Sequence, residues 1–145
     1  MQELKEIKVM LDPGAIAPER AHTMDAGLDL FLPLHYGTLS VFPKGSLAID
    51  TGVHVEIPEG YVGLLKSKSG LNVKHNLTGE GVIDAGYTGS ICVKLYNHGR
   101  ERHTFQPGDK IIQLLIIKCE TPEVRIVDSL EETERGAAGF GSTGR

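Results

Sequence analysis

The chain has 145 residues, with 15 Lys and Arg against 19 Asp and Glu and a formal net charge of −4. That length suits one domain with a self-sufficient core, and the acidic balance argues against a general nucleic-acid or anionic-membrane binder. Its 18 Gly and 7 Pro, in an otherwise ordinary composition without Trp, predict many short strands joined by turns.

The N-terminal MQELKEIKVM lacks the apolar core of a signal peptide, and no stretch approaches the ~18 apolar residues of a membrane span. A soluble, cytoplasmic protein is expected. Asp29 sits between apolar neighbours in AGLDL on a predicted strand, where a buried carboxylate needs either a partner or a metal's water shell. Alternation at Leu47, Ile49, Thr51, Val53, Val55 and Ile57 predicts a strand that ends at the turn Pro58-Glu59-Gly60. Tyr61 to Leu65 follows as a short extended piece, and SGLNVKH, Ser69 to His75, as a short helix with a capping Ser. Ile91, Val93 and Leu95 alternate as a further strand. The nearly continuous apolar run Ile111 to Ile117 predicts a strand buried on both faces, and Val124, Ile126 and Asp128 continue the extended pattern.

Cys92 and Cys119 have no CxxC spacing and read as two buried small hydrophobes in a reducing compartment; the six His show no HExxH, so no structural zinc is expected. Residues 135–145, RGAAGFGSTGR, carry four glycines and predict a flexible arm on a body spanning residues 1–134. The fold class that follows is all-β, a sandwich or jelly-roll-like barrel with one short helix and a mobile C-terminal arm.

Besides Asp29, three segments carry chemistry. Lys66-Ser67-Lys68-Ser69-Gly70 places cations, hydroxyls and a Gly before the helix, which suits a phosphate or a plain polar strand end. Gly81 to Gly89, GVIDAGYTG, is a hairpin signature in which Asp84 is a turn former or a general base. The arm nearly spells a P-loop, but Ser142 stands where that motif requires Lys. What remains is a Gly-rich strip able to wrap phosphates, with Phe140 as a stacking plane, or a plain tail.

In this order and spacing the segments resemble the homotrimeric deoxyuridine triphosphatase (dUTPase) family. The five matching motifs are AGLDL (Ala26 to Leu30), KSGL (Lys68 to Leu71), GVIDAGYTG (Gly81 to Gly89), GDKIIQLLI (Gly108 to Ile116) and RGAAGFGSTG (Arg135 to Gly144). The resemblance implies a jelly-roll trimer whose sites draw on neighbouring subunits, with the arm closing over another subunit's nucleotide. It implies hydrolysis of dUTP to dUMP and pyrophosphate, limiting uracil in DNA and supplying dUMP for dTMP synthesis. Asp84 matches the residue that activates the attacking water, and Tyr87 the ring that packs under the deoxyribose. Val82, Ile83 and Cys92 match the main chain that reads uracil. Lys68, Ser69, Gly70 and Gln113 match phosphate contacts, and Arg135, Gly141, Ser142 and Thr143 the arm's clamp beneath the stacking Phe140. The implied cofactor is Mg²⁺, held by phosphates and waters without direct protein ligands, with Asp29 in its outer shell.

Four positions depart from the family pattern: Lys68 replaces the usual Arg, Gly86 a second Asp, Ala138 a Gly, and Thr78 falls about where an Asn binds substrate. The related dCTP deaminases need a Glu where this chain has Lys94, which disfavours deamination. Some phage-borne members of the family imply a regulatory role, so a protein partner beside catalysis stays open.

Overall fold

The computed structural model describes residues 3–141. Eleven strands and one helix follow each other as β1 Lys8–Leu11, β2 Leu28–Phe31, β3 Leu39–Val41, β4 Ser46–Asp50, β5 Val53–Glu56, β6 Tyr61–Lys66, α1 Ser69–His75, β7 Leu77–Thr78, β8 Glu80–Ile83, β9 Cys92–Asn97, β10 His103–Phe105 and β11 Lys110–Lys118. All strand pairs are antiparallel. The larger sheets run β2-β11-β6-β8 and β4-β9-β7, beside the two-stranded pairs β1-β5 and β10-β3. One apolar cluster joins them: Leu30, Leu65, Ile112 and Leu114 come from the first sheet, and Ile49, Leu77, Val93 and Leu95 from the second. The architecture is mostly β and agrees with a jelly roll, although the ladders do not close a barrel.

Period-2 alternation explains β9, where Val93, Leu95 and Asn97 point inward and Cys92, Lys94 and Tyr96 outward. Asn97 is buried without penalty because its amide donates to the Val41 and Glu101 carbonyls at 2.9 and 2.8 Å and accepts from Gly99 N–H at 2.9 Å.

The fold corrects several expectations. The alternating run from Leu47 to Ile57 is two strands in two sheets, because Gly52 takes φ +66° and turns the chain between β4 and β5. Helix α1 spans the expected residues but starts at Lys68 without a side-chain cap. Ser67 instead accepts from Gly79 N–H at 3.0 Å and so braces the strand end. In β11, Ile111, Ile112 and Leu114 are fully buried while Ile117 is exposed, so only the first half is covered on both faces. No strand forms at Val124 and Ile126, which are 88% and 89% exposed. The alternation there has no ladder partner among the described residues and stays uncovered. Cys92 is exposed and Cys119 half-buried, both free thiols.

Candidate active site

Two clusters of candidate residues emerge, at opposite ends of one sheet. The first forms where β2, β11 and the end of β6 meet. Register places Gln113 beside Asp29 on one side and Lys66 on the other. Asp29 is 4% exposed at its side chain; one carboxylate oxygen pairs with Lys68 and the other with Lys110 at 3.0 Å. Burial alone would raise the Asp29 pKa, but the hydrogen bonds and charges of the two lysines outweigh it and hold the group below its usual value. Gln113 donates to the Ser67 carbonyl at 3.0 Å and so fixes the backbone just before Lys68. Ser69 and Gly70 are exposed on the first turn of α1.

The second cluster is the segment between β8 and β9. Sequence predicts a hairpin here, yet β8 pairs with β6 and β9 with β4 and β7, so the segment crosses between sheets. β8 stays at the edge of its sheet with β6 as its single partner, while β9 sits in the middle of the other sheet. The segment turns on a Tyr87 N–H to Asp84 carbonyl bond of 3.1 Å, with Gly86 at φ +88°. Asp84 is exposed and the Tyr87 ring half-exposed, its hydroxyl donating to the Ser90 carbonyl at 2.9 Å. Val82 is exposed and Ile83 buried. Cys92 begins β9 opposite Asp50; partial desolvation of the thiol, with a smaller push from the Asp50 charge, raises its pKa.

Register gives the distance between the clusters. On β6, Gly63 faces Ile83 and Lys66 faces Glu80, so Asp84 follows the ladder at its Gly63 end and Lys68 at its Lys66 end. The paired stretch between them alone spans about 10 Å at strand rise. Thr78 belongs to neither cluster; its hydroxyl lies 2.7 Å from His98 Nε2. In the arm, Arg135 Nε donates to the Ala138 carbonyl at 2.6 Å, and Phe140 and Gly141 are exposed. Ser142 and Thr143 lie outside the described residues.

Residues that sequence reasoning did not single out hold these clusters in place. Lys110 shares the Asp29 carboxylate. Asp50, kept below its usual pKa by the Ser90 hydroxyl and Gly52 N–H, anchors Ser90. His54 bridges Asp12 and the Thr88 carbonyl. Their only sequence signal is a polar residue at a strand end or on an outward position. Among the described residues no group of three or more His, Cys, Asp or Glu is placed to hold a metal ion, and the two Asp29 carboxylate oxygens each pair with a lysine ammonium group. No described helix is long and apolar enough to cross a membrane.

The dUTPase family model matches residues 14–144. A mouse deoxyuridine 5'-triphosphate nucleotidohydrolase is 38% identical, covering 94% of this chain and 83% of its own. The enzyme of the same name from Wolinella succinogenes is 38% identical over 100% of this chain and 99% of its own. Among solved structures, a Staphylococcus bacteriophage 80alpha dUTPase with dUpNHpp superposes at a TM-score of 0.84 with 35% identity, covering 98% and 100% of the two chains; it belongs to phage dUTPases that control transfer of virulence genes. A phage phi11 dUTPase variant that coordinates a structural Mg(II) ion superposes at 0.78 with 33% identity, covering 88% and 99%. With matches that run through both clusters and the arm, the chain belongs to the dUTPase family.

Proposed function

We propose that this dUTP diphosphatase splits dUTP into dUMP and pyrophosphate at sites shared between copies of a homotrimer. The observation that carries the shared site is the separation of Asp84 from Lys68 along β6 and β8. Both must reach one triphosphate, and a general base works only within hydrogen-bond reach of its water. Asp84 of one copy and Lys68 of the next, brought together across an interface, meet that requirement. The uncovered apolar side chains of Val124, Ile126 and Leu130 favour assembly for the same reason: a neighbour would cover them.

In this reading the Asp84 carboxylate accepts a proton as the water oxygen bonds to the α-phosphorus, and the bond to the bridging oxygen breaks to release pyrophosphate. The exposed Tyr87 ring underlies the deoxyribose and excludes a 2′-hydroxyl, while main chain at Val82, Ile83 and Cys92 reads the uracil edge. Lys68 and Gln113 meet the phosphates, and Arg135, Phe140, Gly141, Ser142 and Thr143 close over them. Mg²⁺ would arrive as the magnesium complex of the substrate, neutralising part of about four negative charges, with Asp29 orienting Lys68 at the edge of the metal's outer shell. Such an activity limits uracil in DNA and supplies dUMP in the cytoplasm. A regulatory partner would add to catalysis rather than replace it, since Asp84 and Tyr87 are both kept.

The test is subunit complementation. Asp84→Asn and Lys68→Ala chains should each release little pyrophosphate from dUTP. Mixed, unfolded and refolded together, they should recover about a quarter of the wild-type rate, because random assembly pairs an intact Asp84 with a neighbour's intact Lys68 at that frequency. No recovery from a properly assembled mixture would place both residues in one chain's site and sink the shared-site reading.

A further inference from the structure

The segment that carries Asp84 and Tyr87 is exposed, yet residues 50–54, from the end of β4 into β5, tie it down. Thr51 and Val53 hold Ile91 through backbone bonds of 3.0 and 2.9 Å, and Asp50 holds the Ser90 hydroxyl. On the β9 side of the segment, and among the described residues, the tie that reaches nearest to Asp84 is His54. Its Nδ1 lies 2.7 Å from the Thr88 carbonyl and its Nε2 3.0 Å from Asp12 Oδ1.

Both of those oxygens are acceptors. A neutral imidazole donates from one nitrogen and presents a lone pair at the other, so it can satisfy only one of them. The doubly protonated ring satisfies both. Asp12 is itself fixed, its N–H donating to the Gly52 carbonyl at 2.8 Å, and the His54 side chain is only 18% exposed.

We propose that His54 is a positioning residue: as an imidazolium it clips Thr88 to Asp12 and so holds the Asp84–Tyr87 segment in its working geometry. The proposal rests on the reading of that segment as catalytic. Loss of one proton to solvent leaves a single N–H, which stays with the stronger acceptor, the Asp12 carboxylate, and the Thr88 carbonyl then faces a lone pair and swings free.

The charged groups around His54 agree. Asp12 at the end of β1 and Asp50 at the end of β4 both favour the cation, while Lys8 and Glu56, paired at 3.5 Å across β1 and β5, offset each other. The Thr88 hydrogen bond first, then Asp12, raise the His54 pKa above its ordinary value against the opposing effect of burial. The clip therefore holds below that raised value and opens as pH rises through it.

Ring-¹⁵N NMR of the full chain, with pyrophosphate release from dUTP across pH 6–9, tests this. Below its titration midpoint both His54 nitrogens should carry protons, and that midpoint should fall above the ordinary value of about 6.5. Wild-type kcat/KM should fall over that same window. His54→Gln, which keeps one donor but no charge, should lower kcat/KM about tenfold at pH 7, remove that alkaline step, and speed amide exchange at residues 84–88. Asp12→Asn should move the step to lower pH. A His54 that titrates at or below about 6.5, or a His54→Gln protein with the wild-type pH profile and exchange, overturns the clip. If Asp84→Asn turns over dUTP like wild type, the catalytic reading falls instead, and NMR and exchange still decide the clip.

Discussion

The two ends of the β2-β11-β6-β8 sheet handle charge in opposite ways. At the Lys68 end a carboxylate is buried and saturated by two cations, so position comes from packing and pairing. At the Asp84 end the functional carboxylate is exposed, and position comes from ties to neighbouring strands at Thr88, Ser90 and Ile91. A buried, paired group holds its geometry but is spent on the fold. An exposed one is free to exchange protons with water and must be positioned from behind. The contrast separates residues whose loss unfolds the chain from residues whose loss silences it.

Asp84→Asn should therefore break activity alone. Pyrophosphate release from dUTP should fall by about 10³-fold, within the usual contribution of a general base, while Tm stays at the wild-type value. An Asp84→Asn protein that melts early would move Asp84 into the structural class.

Asp29→Asn should show the reverse weighting. It leaves Lys68 and Lys110 without their shared partner, at a cost of about 2–3 kcal/mol, held down because both lysines reach water. The pH dependence has a fixed sign. The folded pKa of Asp29 lies below its unfolded value of 3.8, so its contribution is present above 3.8 and is lost as pH falls through the folded value. Acid titration of urea stability should show that loss in wild type and not in Asp29→Asn.

Much of this contrast is legible in the sequence, unevenly. Strand β9 follows from its side-chain period, whereas helix α1 is legible only through a capping Ser that the fold does not use. The motif order marks Asp84 and Lys68 together, but nothing local to either says that they stand at opposite ends of a sheet, because that separation is a matter of register between β6 and β8. His54 and Lys110 carry no local signal, since their partners are 34 and 81 residues away in sequence. The exposed run at Val124 and Ile126 alternates like a strand, and pattern alone does not reveal whether an edge exists to receive it.

Two glycines give the finest division between the scaffold and the segment it holds. Gly52 takes φ +66°, and an added Cβ would lie 2.9 Å from Ala15 Cβ and 3.3 Å from Asp12 Cβ. Gly52→Ala thus combines left-handed strain with a clash beneath the residue that braces His54, at about 2 kcal/mol. Gly86 takes φ +88° with nothing within 4 Å of an added Cβ. Gly86→Ala meets only the backbone penalty, about 1 kcal/mol or less, and Gly86→Asn should cost still less because Asn tolerates that region. Urea denaturation of the three variants should rank them in that order. Equal costs at Gly52 and Gly86 would show that the scaffold beneath His54 yields as readily as the exposed turn, and the division between the two would lose its basis.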